Sequence, residues 1–319
     1  MENGQCLSDT CDGINCKGIE TPHLGPSLSF RPKGSLARAL YEKQKHDEFL
    51  EQFDKNEWYQ CNLDSLPAII STKFVQLGPD QDTIEFLEQS EKKSDWLFMQ
   101  LWHSLVKLFL GVFMTQTSIN GWLQRGSMFV VSQPQVRKLL GVDEDWKCRS
   151  LLDIGAGDGK VTDQIAPIFH KVYATEVSST MRTLLQKKGY ELLEINDWFV
   201  DKKFDFISCL NVIDRCDTPL QLLHQIRDAL TPNGTLLLAV VLPFSAYVEA
   251  GTNHKPQELL PISGPNFEDQ VMSVIENVFT PANFEVISWS RVPYLCEGDL
   301  QQSYYWLDDA VFVLKLKDC

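Results

Sequence analysis

The sequence predicts an α/β fold: a doubly wound, mostly parallel seven-stranded sheet preceded by a helical extension. Three observations predict it. From Ser150 onward, seven short apolar runs ("SLLDI", "KVYATE", "ELLEI", "FDFISCL", "GTLLLAVVL", "FEVISWS" and "AVFVLKL") are spaced along the chain, and amphipathic helical stretches follow the first, second, fourth and fifth. Strand–helix alternation of this kind builds a parallel sheet covered on both faces. The first run passes directly into a glycine-rich turn, "LLDIGAGDGKVTD", residues 151–163, the arrangement that brings a backbone close to a nucleotide-like ligand. Upstream, the segments 36–54, 83–116 and 132–141 carry apolar residues at intervals of three and four, which is helical periodicity.

Residues 1–35 are rich in Gly, Ser, Pro and Cys without periodicity and are expected to form a disordered tail. Residues 36–145 make the helical extension and a lid, and 146–319 the α/β core, with substrate-binding insertions expected at 243–268 and 294–307. No internal repeat is present. The chain carries 29 Lys and Arg against 43 Asp and Glu, a net charge of −14. That balance disfavours a nucleic-acid partner, which needs clustered cations, and favours a neutral or basic substrate. Nine cysteines are scattered without a CxxC pair, so free thiols in a reducing compartment are expected. Cys6, Cys11 and Cys16 stand at five-residue steps that match no zinc spacing, and no metal is expected. No apolar run reaches the ~20 residues of a membrane span. The longest, residues 104–114, includes Lys107 and reads as a buried amphipathic helix, and the N-terminus lacks the basic and apolar regions of a signal peptide. A cytoplasmic monomer is the expectation.

A dinucleotide turn spaces its glycines GxGxxG. Here the glycines are 155, 157 and 159, with Lys160 at the position of the third dinucleotide glycine. The D-x-G-x-G-x-G pattern, comprising Asp153, Gly155, Ala156, Gly157 and Gly159, resembles motif I of class I S-adenosylmethionine-dependent methyltransferases. That ligand has no pyrophosphate, so the glycines would admit its amino-acid arm and ribose to the backbone. Glu176 closes the second strand, 17 residues beyond Gly159, where a carboxylate accepts both ribose hydroxyls. A glycine turn alone also serves as a plain strand-to-helix connection; turn, acid and seven strands together are more specific. After the third strand, Asn196 and Asp197 are candidates to face the adenine, with Trp198 either stacking on it or plugging a polar turn.

Ligands of doubly wound sheets sit at the carboxyl ends of the strands, which places Asn211 and Asp214 of "NVIDRCDTPLQLLHQI" beside the methyl donor. Asp217, in Asp-Thr-Pro before an amphipathic run, reads as a helix cap. A D/N-P-P-Y/F/W motif is missing, which disfavours methylation of an adenine amino group. On its residues alone, Asp214 is also compatible with a turn acid paired to Arg215 or solvated.

The set "LLDIGAGDGKVT", "YATEVSSTM", "SCLNVIDRCDTPL", "VLPFSAYVE", "PYLCEGD" and "YYWLDDAVFVLK", with upstream "TSINGWLQRGSMFV", resembles the DREV (methyltransferase-like protein 9) family over about residues 55–317. The resemblance implies a protein-histidine N-methyltransferase that uses S-adenosylmethionine, releases S-adenosylhomocysteine, and modifies the pros nitrogen of imidazole, chiefly in His-x-His motifs. It implies cofactor contacts for Glu176, Asn211 and Tyr294, contacts to the target imidazole for Asn211 and Asp214, and substrate positioning for Tyr305. It also implies an endoplasmic-reticulum or mitochondrial association, against the polar start of this chain.

The chemistry agrees with that assignment. Transfer to imidazole is an in-line displacement at a sulfonium methyl and needs proximity and a nitrogen with a free lone pair. An acid that accepts a hydrogen bond from the far N–H fixes the tautomer and stabilises the developing cation, and Asp214 is the candidate. The 243–268 stretch, with Pro243, Gly251, Pro256, Pro261, Gly264 and three glutamates, is too irregular for a simple connection. "PYLCEGDLQQSYYWLDD" adds Tyr294, Tyr304 and Tyr305 among four acids, either as a groove wall or as plugs of the sheet end. The composition of 117–132 suits a lid, in which Arg125 would meet the cofactor carboxylate or a surface acid. His103, His170 and His224 read as packed or solvated, and no His-x-His occurs in the chain. Two other functions fit: methylation of a small imidazole compound, or a silent cofactor-binding module, which would be expected to lose Asp214 or the glycine turn.

Overall fold

A computed structural model of the chain describes residues 34–96, 123, 126–248, 254–299 and 301–317. Cys6, Cys11, Cys16, His103, Arg125, Glu249, Gly251 and residues 97–122, which fall in the expected 83–116 helix and 117–132 lid, lie outside them. Helix α1 (Ser35–Gln52) and helix α2 (Gln81–Ser94) open the described chain, with short 3-10 turns at Lys55–Tyr59 and Leu63–Ser65 and a single α-helical turn at Ala68–Ser71 between them. Strand β1 (Met128–Phe129) and helix α3 (Gln133–Leu140) lead into the core. Helix α3 is bounded as its sequence dictates: Ser132 and Gln135 form a reciprocal capping box, and Gly141 ends it in the left-handed conformation.

The core then alternates: β2 (Cys148–Ile154), α4 (Lys160–Ile165), β3 (Phe169–Thr175), α5 (Ser179–Lys187), β4 (Glu191–Leu192), β5 (Phe204–Leu210), α6 (Pro219–Ala229), β6 (Leu230–Val241), α7 (Phe267–Val274), β7 (Phe284–Glu297) and β8 (Tyr304–Leu316). Eight strands form one sheet in the order β1-β7-β8-β6-β5-β2-β3-β4. The segment from β6 through β5, β2 and β3 to β4 is parallel, and β8, β7 and β1 pair antiparallel at the other side.

The seven apolar runs all become strands, and the eighth strand is β1, a two-residue pairing of Met128 and Phe129 with Cys296 and Leu295. It falls in the segment expected to be a lid, and two residues carry no period to read. The 294–307 stretch also differs in form from an irregular insertion. Strands β7 and β8 continue through it as a paired hairpin, Tyr294 opposite Leu307 and Cys296 opposite Tyr305, with the turn confined to 298–303.

One apolar cluster joins the sheet to α6, α7 and Trp198, and a second joins the other face to the N-terminal extension. Leu50, Trp58, Tyr59, Leu77 and Leu87 of the extension are buried in the second cluster. Trp289 donates its indole N–H to the Ile70 carbonyl at 2.9 Å, and Val75 donates to the Trp289 carbonyl. The extension is thus part of the core rather than an appendage. Among the described residues, no helix is long and apolar enough to cross a membrane.

Candidate active site

Three candidate residues stand one position beyond the ends of three adjacent parallel strands: Glu176 after β3, Gly155 after β2 and Asn211 after β5. Neighbouring strands lie about 4.8 Å apart, so the topology alone gathers these residues on one rim. Gly155, Gly157 and Gly159 all have positive φ, at 69°, 56° and 75°, a region open chiefly to glycine. They differ in what surrounds them. A Cβ on Gly155 would lie 2.8 Å from Val212 Cγ2, and one on Gly159 2.8 Å from Leu185 Cδ2; a Cβ on Gly157 would meet nothing within 4 Å. The first and third glycines are required by packing, while the space above the second is open.

The turn is held from below and from the side. The Thr175 carbonyl accepts from the N–H of both Gly155 and Ala156 at 3.1 Å. Asp153 is 4 % exposed; its two carboxylate oxygens accept from the hydroxyls of Ser208, at 2.6 Å, and Thr162. Burial pushes its carboxyl up to about 6, the two hydroxyls opposing. Asp153 therefore braces the turn from underneath. Glu176 accepts from Gly157 N–H at 2.9 Å and Ser178 N–H at 2.8 Å. Each carboxylate oxygen has a second lone pair, so the same group can tie the turn and still accept two hydroxyls. Lys160, which separates this turn from a dinucleotide one, reaches the Ser127 hydroxyl and lies 3.7 Å from Asp158. It links the start of α4 to the residue preceding β1, whose N–H also meets the buried Glu297 carboxylate at 3.3 Å.

Beyond β4, Asn196 and Asp197 are exposed on a turn, but Trp198 is 4 % exposed and packs edge-on against Phe199 in the main core. Of the two readings of Trp198, the structure takes the plug.

At the end of β5 the environment changes to buried and acidic. Asn211 has φ 56°, is 5 % exposed, and donates its amide Nδ2 to Asp309 Oδ2 at 2.8 Å. Asp214 is 3 % exposed, its Oδ2 3.9 Å from Arg215 Nε. Burial raises its carboxyl above the usual range, with Arg215 opposing. Asn211 Oδ1, Asp214 Oδ1 and Asp309 Oδ1 are all buried with no hydrogen-bond partner. Unpaired buried polar atoms are rare and costly, and three of them gathered beyond the end of β5 call for a hydrogen-bonding ligand. The Arg215 guanidinium lies over the Tyr294 ring at 5.7 Å, bringing Tyr294 to this loop. Tyr305, on the same face of the β7–β8 hairpin as Tyr294 and Asp309 by strand alternation, donates its hydroxyl to Asp299 Oδ1 at 3.0 Å. It sits four residues from Asp309, about 13 Å along the strand, at the outer end of the same wall.

Asp217 does not cap α6. The N-cap is Thr218, without a side-chain cap bond, and the free N–H groups of Leu220 and Gln221 are met by Glu258 Oε2 at 3.0 and 3.3 Å. Asp217 instead accepts from Gln257 N–H at 2.9 Å and from the Gln257 amide. Together with the bond from Tyr247 N–H to the Asp214 backbone carbonyl at 2.9 Å, these contacts tie both described ends of the 243–268 stretch to the segment that carries Asp214. Glu258→Ala is expected to lose a cap worth about 0.5–2 kcal/mol, visible as a lowered Tm. An unchanged Tm would remove Glu258 from that role. Neither Asp309 nor Glu258 stands out as a site residue in the sequence. The one available signal for Asp309 was a carboxylate entering the apolar run "AVFVLKL".

The sheet order, the glycine turn on β2 and the acid on β3 define the S-adenosylmethionine-dependent class I methyltransferase fold. Within that class, a family model of DREV methyltransferases matches residues 58–316, and the chain belongs to this family. Solved structures to which it is similar include a putative type 11 methyltransferase from Sulfolobus solfataricus, at 17% identity over 54% of this chain and 86% of that one, TM-score 0.35. N-methyltransferase NodS from Bradyrhizobium japonicum, complexed with S-adenosyl-l-homocysteine, matches at 11% identity over 54% and 80%, TM-score 0.36. The glycopeptide N-methyltransferase MtfA complexed with sinefungin matches at 17% over 58% and 85%, TM-score 0.39.

Proposed function

We propose that this chain methylates the pros nitrogen of histidine in His-x-His-type motifs of substrate proteins, with S-adenosylmethionine as donor. The observation that carries the reading is the pair of buried, unpartnered acceptors, Asn211 Oδ1 and Asp214 Oδ1, at the strand end next to the glycine turn. The cofactor supplies an electrophilic methyl on a sulfonium. Gly157 offers it an open backbone, Glu176 accepts from its ribose hydroxyls, and Asn196 and Tyr294 complete its surroundings.

Asp214 accepts a hydrogen bond from the tele N–H of the target ring. The pros nitrogen then keeps its lone pair, and the carboxylate stabilises the imidazolium that forms. The acid is buried, away from bulk water, which strengthens that charge interaction. Tyr305 and the acids of the hairpin form the outer wall, suited to a neutral or basic peptide. Activity on a His-x-His peptide, absent when both histidines are glutamine and weak on a free histidine dipeptide, is the expected pattern. Equal turnover of the dipeptide would favour a small imidazole substrate, and cofactor binding without any transfer would favour a silent module.

The rate should depend on pH in one direction. Below about pH 6.5 the target imidazole is protonated and has no lone pair. Burial also raises the Asp214 carboxyl, so its ionisation, which strengthens it as an acceptor, is gained as pH rises. Both effects raise kcat/KM with pH and then level off. A flat profile between pH 5.5 and 8 at saturating cofactor would point to another nucleophile.

A further inference from the structure

We propose that Asp309 is a positioning residue: it holds the Asn211 side-chain amide by its NH₂ end, so that Asn211 offers the methyl acceptor a carbonyl oxygen and not a donor. The inference rests on the reading of Asn211 as substrate-facing. The geometry begins with the sheet. Asn211 leaves β5 with its N–H on the Ala239 carbonyl of β6 at 3.1 Å, and Asp309 lies opposite Val241 on the far side of β6. The Asn211 side chain therefore reaches across the end of one strand to a residue of the next, 98 positions on in the chain.

An asparagine amide is a two-sided group, with two donors on nitrogen and two lone pairs on oxygen. A half-turn about its last bond exchanges them at little steric cost. In a site whose partner is an N–H, the wrong side would set donor against donor. Asp309 removes the choice by accepting Nδ2 at 2.8 Å, leaving Asn211 Oδ1 buried and unpartnered. That oxygen then stands with Asp214 Oδ1, so that the tele N–H, the one donor of the neutral ring, is shared between two acceptors and never meets a competing donor. No packing role requires a carboxyl at position 309. It is fully buried on a central strand between Val292 and Val241, where an aliphatic side chain would be the ordinary occupant. Burial and the nearby Asp214 push its carboxyl upward, which favours the neutral form. The carbonyl oxygen of that form still accepts the Asn211 bond, and an asparagine at 309 would keep such an oxygen.

The test compares Asp309→Asn with Asp309→Leu in the full chain. Asp309→Leu is expected to lower kcat on a His-x-His peptide by about 10- to 100-fold, with cofactor affinity by calorimetry within about threefold, while Asp309→Asn stays within about threefold in both. A structural role alone would move Tm and leave this split between the two variants unexplained. If Asp309→Leu kept kcat within about twofold, or if both variants lost equally, the proposal would be overturned. A second measurement needs no substrate: in the unsubstituted protein labelled with ¹⁵N-asparagine, the Asn211 side-chain amide protons should exchange slowly with solvent and shift on Asp309→Asn. Rapid exchange like that of a surface amide would overturn the proposal even where the leucine variant fails to fold. Absence of peptide methylation by the unsubstituted enzyme, with a slowly exchanging Asn211 amide, would fail the substrate reading and leave the Asp309 bond standing.

Discussion

Asp214→Asn is expected to slow methyl transfer by about 10² to 10⁴-fold, the range for a positioned acid–base group, while cofactor affinity stays near that of the parent protein. The substitution keeps the size of the side chain and removes its charge. It also introduces an NH₂ that can face the ring and select the tautomer whose pros nitrogen carries the proton. In the proposed site the cofactor would rest on the open backbone at Gly157 and the carboxylate of Glu176, away from Asp214, so its binding should be spared. Asp217→Asn provides the contrast. Asp217 accepts two bonds from Gln257 in the insertion, and asparagine retains one acceptor oxygen, so that variant should move the peptide KM and leave kcat near normal. Equal losses of kcat in the two variants, or a folded Asp214→Asn protein unable to bind cofactor, would end the tautomer-fixing account.

Glu176→Ala should weaken cofactor binding by about 2 to 3 kcal/mol, or about 30- to 150-fold in Kd, as two charge-assisted hydrogen bonds in a partly buried site are lost. The same carboxylate carries the N–H groups of Gly157 and Ser178, so part of the loss is a loosened turn rather than a missing contact. The two parts separate by measurement. Loosening lowers Tm without cofactor, whereas the lost contact reduces the rise in Tm that saturating cofactor produces. Unchanged affinity by calorimetry would take Glu176 out of the site.

Periodicity made the fold legible. Each of the seven apolar runs is long enough, or flanked by clear enough turn residues, to announce a strand, and the strand ends then place Gly155, Glu176 and Asn211 without further information. The misses have physical causes. Strand β1 is a two-residue pairing supported by its partner β7 rather than by its own sequence. The β7–β8 hairpin looked like a loop because Gly298 and the acids of its turn interrupt the apolar alternation that the flanking tyrosines continue. The cap of α6 comes from Glu258, 38 residues away, while Asp217, in the local sequence position of a cap, turns to the insertion instead. Asp309 stayed hidden for a related reason: its partner Asn211 is adjacent only after the sheet has formed. Local grammar reads elements well; it cannot read bonds that the topology creates.

A tautomer-fixing acid at Asp214 directs the methyl group to one ring nitrogen, the pros nitrogen. The most direct measurement incubates the protein with S-adenosylmethionine carrying a ¹³C methyl and a His-x-His peptide, then locates the label by NMR correlation from methyl to ring carbons. A methyl on the pros nitrogen, correlated with C5 and C2 of the imidazole, is the predicted result. A methyl on the tele nitrogen, or on a lysine or the peptide terminus, would contradict it.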